Sequence, residues 1–139
     1  MDGETFLLID GDKVGETIDL FVLRNDLEGL ARFTHALDAA VARIAGLARA
    51  MGGRVHMAGG DNVLACLPDA EAFLARLPEA VAGTPCTFSV GIGLDARHAH
   101  DALLVAKAGM AGSIARASGD GADVTFVRQA PGGAWLPAS

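Results

Sequence analysis

The chain has 139 residues, about half of them apolar, enough for one domain with a real core. No apolar run approaches the ~20 residues that span a bilayer, and the acidic start Met1-Asp2-Gly3-Glu4 lacks the basic opening of a signal peptide, so a cytoplasmic protein is expected. A net charge of −6 argues against holding a long nucleic acid by its phosphates, but not against a single nucleotide bound through a divalent cation. The two cysteines, Cys66 and Cys86, have no metal-like spacing and sit in or beside apolar runs, so buried free thiols are expected.

In chain order, Phe6-Leu7-Leu8-Ile9 reads as a central strand, followed by the polar turn Asp10 to Gly15 and a short helix from Glu16 to Leu23. Asp26 caps a long helix from Leu27 to about Met51, with Leu30, Phe33, Leu37, Val41, Ile44, Ala48 and Met51 as its inner stripe. Gly52-Gly53 ends that helix. A strand Arg54–Met57, the tetrad Gly59-Gly60-Asp61-Asn62 and a strand Val63–Leu67 then form a hairpin. Asp69 starts a helix to about Ala82, which Pro78 bends or shortens. Thr87 to Gly93 alternates like a strand, with two glycines where something approaches closely. A helix from about His100 to Ala117 and a last strand Val124–Val127 follow, then a loosely held tail over 131–139. The single domain is expected over 1–130.

The order is β-α-β-β-α-β, then α-β: an α+β, ferredoxin-like plan with an added C-terminal helix and strand. Its sheet order, 4-1-3-2, sets strands one and three side by side and antiparallel. The end of the first strand and the hairpin turn then share one sheet edge, with Asp10 and Asp61 as neighbours. Two carboxylates brought together repel unless a cation sits between them, and hard oxygen ligands with room for water and phosphate suit Mg²⁺. Lys107, on a mostly apolar helix running back to that edge, faces the same place. A plain surface hairpin, a capping Asp10 and a snorkelling Lys107 are the alternative readings. His35, His56, His98 and His100 form no metal set, and neither a P-loop nor a nucleophile elbow is present.

A strand ending in Asp-Gly-Asp, a Gly-Gly-Asp hairpin, Ser-Val-Gly-Ile-Gly and Ala-Leu-Leu-Val-Ala-Lys-Ala-Gly resemble, in that order, the palm of nucleotidyl cyclases and of GGDEF diguanylate cyclases. The form Asp-Gly-Asp-Lys-Val-Gly and the small size make the chain most similar to the minimal CRISPR polymerase family, from about Thr5 to Ala117. The resemblance implies joining nucleoside triphosphates, ATP favoured, into cyclic nucleotides with loss of pyrophosphate, in anti-phage defence. It implies Mg²⁺ or Mn²⁺ held by Asp10, Gly11 and Asp61, and catalysis by Asp10, Asp61 and Lys107. Nucleotide contacts would come from Gly11, Asp12, Lys13, Val14, Gly59, Gly60 and Asn62. A homodimer follows from the need for two nucleotides, and the family suggests a product-sensing membrane effector encoded nearby.

Three positions depart from that pattern. Asn62 replaces a second acid and offers only a neutral oxygen. Ile18 stands where diguanylate cyclases carry a guanine-reading Asn, which favours adenine. Ala111 replaces an Arg of the phosphate clamp. A palm weakened at Asn62 and acting as a nucleotide sensor is the main alternative, and a simple interaction module is the other.

Overall fold

The structure, a computed structural model, describes residues 4–109, 111–118, 121–125, 127–129 and 135–137, with side chains to residue 117. The elements are β1 (Thr5–Gly11), α1 (Val14–Leu23), α2 (Leu27–Ala50), β2 (Arg54–Gly59), β3 (Asn62–Leu67), α3 (Ala70–Val81), β4 (Phe88–Gly93), α4 (Ala96–Gly109), β5 (Ile114–Ser118), β6 (Gly121–Thr125), β7 (Val127–Gln129) and β8 (Trp135–Pro137). Six strands form one sheet in the order β2-β3-β1-β4-β5-β6, and β7 pairs with β8 in a separate ribbon. The expected α+β plan and the order of the first four strands are those found.

Strand β1 is central and antiparallel to both neighbours, with Ile9 opposite Val63 and Val90. Its alternate residues Leu7 and Ile9 are fully buried under α2 and α3, where they meet Phe33, Ile44, Phe73 and Leu77. Each such side chain contributes roughly 1.5–3 kcal/mol by leaving water. The capping expectations hold: Asp26 Oδ1 accepts the Gly29 N–H at 2.9 Å, and Asp69 Oδ1 accepts the Ala72 N–H at 3.0 Å. Pro78 lies inside α3, which still runs to Val81.

The opposite face of the sheet carries α4. Val90 and Ile92 point to the α2–α3 core, so Gly91 and Gly93 face the other way. A Cβ on Gly91 would lie 2.1 Å from the Ala99 carbonyl oxygen and 2.4 Å from the Leu103 nitrogen. On Gly93 it would lie 2.5 Å from the Ala99 nitrogen. The two glycines seen in the sequence are therefore the bed of a helix. With α4 pressed on them, β4-α4-β5 becomes a crossover between parallel strands, Val90 beside Ile114.

The end of the chain required correction. The helix expected to reach Ala117 stops at Gly109, and Ile114–Ser118 is a strand. Gly112, at φ +73°, turns the chain, and Ile114 then pairs with Val90 rather than extending the helical stripe. The expected last strand begins earlier, at Gly121, and pairs with β5; residue 126 lies outside the described residues. Of the tail, Trp135–Pro137 pairs with Val127–Gln129, while 131–134 and 138–139 lie outside the described residues. Helix α1 also starts two residues earlier than expected, at Val14. Among the described residues, no helix is long and apolar enough to cross a membrane.

Candidate active site

The two acidic turns meet. Asp10 is opposite Asn62 in the β1–β3 ladder, so Asp61 stands just beyond it at the same sheet edge. The Gly11 N–H donates to the Asp61 carbonyl at 3.0 Å and ties the turns together. The tetrad is tighter than expected, since Gly59 and Asn62 already belong to paired strands and only Gly60 and Asp61 form the turn. Gly60 alone adopts positive φ there, +57°. Gly59 has ordinary φ, and a Cβ on it would meet nothing within 4 Å, so neither backbone nor packing within the chain requires a glycine.

Asp10 is partly buried, and its carboxyl lies within hydrogen-bond reach of that of Asp61. Burial pushes its pKa up to about 6 from 3.8; Lys107 opposes the rise and Asp61 reinforces it. Lys107 Nζ sits 2.9 Å from Asp10 Oδ2, 3.1 Å from Asp12 Oδ1 and 3.1 Å from the Gly11 carbonyl oxygen. Burial disfavours the Lys107 charge, but its hydrogen bonds to Asp10 and Asp12 outweigh burial and raise its pKa above the ordinary lysine value.

Asp12 does something that sequence reasoning missed. It is buried and accepts from Thr87 Oγ1 at 2.7 Å, Ser89 Oγ at 2.7 Å and the Gly112 N–H at 2.8 Å, besides Lys107. One carboxylate thus joins β1, β4, α4 and the turn before β5. Its acceptor sites are taken up inside the protein. Its N–H, likewise, donates to the Thr87 carbonyl at 2.9 Å. The phosphate cradle expected over Gly11 to Val14 therefore narrows, because the N–H groups of Gly11 and Asp12 are already engaged. The strand alternation of Thr87 and Ser89 was the only sequence signal for their shared direction.

What remains of the cradle is the start of α1. Lys13, in the left-handed region at φ +57°, precedes the helix without a side-chain cap, so the first-turn N–H groups point outward. Gly15, in that turn, would meet nothing within 4 Å if it carried a Cβ. A groove of about 370 Å³ opens beside it, lined by Asp12, Lys13, Glu16, Lys107, Gly109 and Ala111. The chain has only two lysines, and both line this groove. Asp12 and Glu16 line it too, so the lysines sit there among carboxylates rather than as a purely positive patch. Ile18 instead packs its side chain against the α2–α3 core.

Matching the sequence with known families settles the kinship: the minimal CRISPR polymerase (mCpol) domain matches over residues 6–117. The chain belongs to the mCpol family. No curated protein matches the chain. Among solved structures, the GGDEF domain of PA1120 (YfiN or TpbB) from Pseudomonas aeruginosa is 23% identical, with TM-score 0.58 over 84% of this chain and 83% of that one. A diguanylate cyclase/phosphodiesterase from Caldicellulosiruptor saccharolyticus is 17% identical, TM-score 0.57, over 84% and 78%. The guanylyl cyclase Cya2 is 15% identical, TM-score 0.50, over 84% and 77%. At these identities the likeness establishes the fold, an α+β palm shared with cyclase domains.

Palm homologues of this kind typically use Mg²⁺, and the donors present in this mCpol chain suit such an ion. The Asp10 carboxylate meets that of Asp61, and the Lys107 ammonium already sits on Asp10 and the Gly11 carbonyl as a stand-in cation. Among the described residues, no three His, Cys, Asp or Glu side chains form an ion site by themselves. The donor set is the incomplete kind that Mg²⁺ accepts, with water and substrate phosphate supplying the rest.

Proposed function

We propose that this mCpol protein is a divalent-cation-dependent nucleotidyltransferase. It joins nucleoside triphosphates, ATP favoured, into a cyclic dinucleotide. The observation that carries the reading is the meeting of Asp10 with Asp61 and of Asp10 with Lys107, which in turn lines, with Lys13, a groove beside a helix N-terminus. Asp10, Asp61 and the Gly11 carbonyl would hold the ion. When bound, such an ion acidifies an attacking ribose hydroxyl and neutralises charge on the leaving pyrophosphate.

The chain's own groups supply the rest. Lys13, Lys107 and the first-turn N–H groups of α1 take the triphosphate tail and keep its α-phosphorus beside the carboxylates. The hydroxyl gives its proton up to solvent, its oxygen bonds to that phosphorus as the bond to the bridging oxygen breaks, and pyrophosphate leaves. Gly59 and Gly60 leave room beside the turn for ribose or base, with Asn62 paired to Gly59 in the hairpin. Two nucleotides require two such sites, so the working form is a homodimer. Leu20, Val22, Leu23 and Leu27, all exposed, offer apolar surface for the second copy. Adenine is favoured because Ile18 is committed to the core, and the defence setting and a product-sensing membrane effector rest on family membership.

Incubation with each triphosphate and Mg²⁺ or Mn²⁺, followed by mass spectrometry, tests the reading. A phosphodiester product that disappears in Asp61→Ala supports it, and absence of product with every triphosphate, alone or paired, refutes it. Asn62 and Ala111 favour a second reading, a nucleotide sensor, which predicts ATP-dependent thermal stabilisation without pyrophosphate release.

A further inference from the structure

Lys107 lines the groove, but its ammonium is not free within it. Its ammonium is fixed by three oxygens of the β1 turn: Asp10 Oδ2 at 2.9 Å, the Gly11 carbonyl at 3.1 Å and Asp12 Oδ1 at 3.1 Å. Two of these, the Asp10 carboxylate and the Gly11 carbonyl, are oxygens a divalent ion would take. The third belongs to a carboxylate that three other donors hold in place. The Lys107 side chain is only 28% exposed, and the groove beside it is lined by Asp12, Lys13 and Glu16 as well as by Lys107 itself.

We propose that Lys107 is the resident counter-ion of the ion-free protein, and that it and a divalent cation exclude each other at Asp10 and the Gly11 carbonyl. Two positive charges cannot share those oxygens at contact distance. An entering ion therefore drives the ammonium off Asp10 and Gly11, leaving it tethered by Asp12 at the mouth of the groove. A bare ion must displace it without recompense. An ion arriving with a triphosphate provides the displaced ammonium with a new anionic partner. Ion and triphosphate then bind with positive coupling through one side chain, and by linkage each tightens the other equally. Asp12 acts through Lys107 as a positioning residue. This inference rests on the nucleotidyltransferase reading of the same site, but it concerns binding rather than turnover.

The test uses the full chain, Mn²⁺ followed by electron paramagnetic resonance, and a non-hydrolysable methylene-bridged ATP analogue. Lys107→Met, which keeps the stem without the charge, is expected to bind Mn²⁺ alone about tenfold more tightly than wild type. It should also lose roughly that factor of the coupling between Mn²⁺ and the analogue. Lys107→Arg, which keeps a cation, should retain more of the coupling between Mn²⁺ and the analogue than Lys107→Met, and an equal loss in both would overturn the role given to the charge. A second measurement needs no variant. With only Lys13 and Lys107 available, acylation mapped by mass spectrometry reads each lysine separately. Mn²⁺ should raise labelling of Lys107 several-fold relative to Lys13, and adding the analogue should suppress it again. Unchanged or weaker Mn²⁺ binding in Lys107→Met, or Lys107 still protected when Mn²⁺ is bound, overturns the proposal and leaves the nucleotidyltransferase reading standing. Failure of the folded wild-type chain to bind either Mn²⁺ or the analogue overturns both.

Discussion

Replacing Gly91 by alanine tests how α4 reaches the site. The added Cβ would lie 2.1 Å from the Ala99 carbonyl oxygen, 2.4 Å from the Leu103 nitrogen and 2.8 Å from the Leu103 Cα, all backbone atoms. Ordinary non-bonded contact is ~3.5 Å, so α4 must retreat by about 1 Å or more. No rotamer change relieves a clash with backbone. Overpacking of this kind costs about 1–3 kcal/mol, and at this chain length each kcal/mol lowers Tm by roughly 3–5 °C. The same retreat carries Lys107 away from oxygens it now holds at 2.9–3.1 Å, so triphosphate affinity falls as well. Gly46→Ala is the matched control. Gly46 lies in α2, where an added Cβ would meet nothing within 4 Å, and a helical Gly→Ala change there should stabilise by about 0.5–1 kcal/mol. Thermal unfolding of the two variants should therefore move in opposite directions. A Gly91→Ala protein that melts with wild type and keeps its triphosphate affinity would refute the close seating of α4.

Three further outcomes follow from the site and its surroundings. Because the Asp10 pKa is raised from 3.8 to about 6, the folded protein keeps a proton between those values that the unfolded chain has released. Its contribution to stability is present below about pH 4 and lost as pH rises to about 6. Mn²⁺, which needs the carboxylate, should lose affinity by about tenfold per pH unit below 6, and a flat profile from pH 5 to 8 would contradict this. Asp12→Ala takes the shared acceptor from Thr87, Ser89 and the Gly112 N–H and one of three partners from Lys107, and should cost about 3–5 kcal/mol in a denaturant titration; a loss under 1 kcal/mol would show that the buried carboxylate holds nothing together. Burial pushes both thiols up to about 11, with Glu4 adding to the rise at Cys66 and Asp12 at Cys86. At pH 8 a disulfide reagent should modify the native protein roughly a hundredfold more slowly than the urea-unfolded chain, and equal rates would be inconsistent with that environment.

The readable parts of the sequence were those in which local pattern and tertiary role agree. The apolar run of β1, the capped stripe of α2 and the turn residues around Gly60 each satisfy a short-range rule. The ferredoxin-like plan then brings Asp10 and Asp61 to one edge by topology alone. The error at Ile114–Ser118 has the same origin in reverse. Met110 and Ile114 continue a helical spacing, and a short apolar stretch fits either period. Only pairing with Val90 decides for a strand.

The sequence by itself determined that this chain folds as an α+β domain with two acidic turns at a common sheet edge and a lysine on a later helix. Strand alternation, helix caps and glycine turns are local properties, and the order of the first four strands follows from their connections. The tertiary structure alone decided which oxygens those side chains use. Asp12 turned inward to Thr87, Ser89 and Gly112, while Lys107 came to rest on Asp10 and the Gly11 carbonyl. Such choices depend on how closely α4 lies on Gly91 and Gly93, a distance set by backbone contact between segments far apart in the chain.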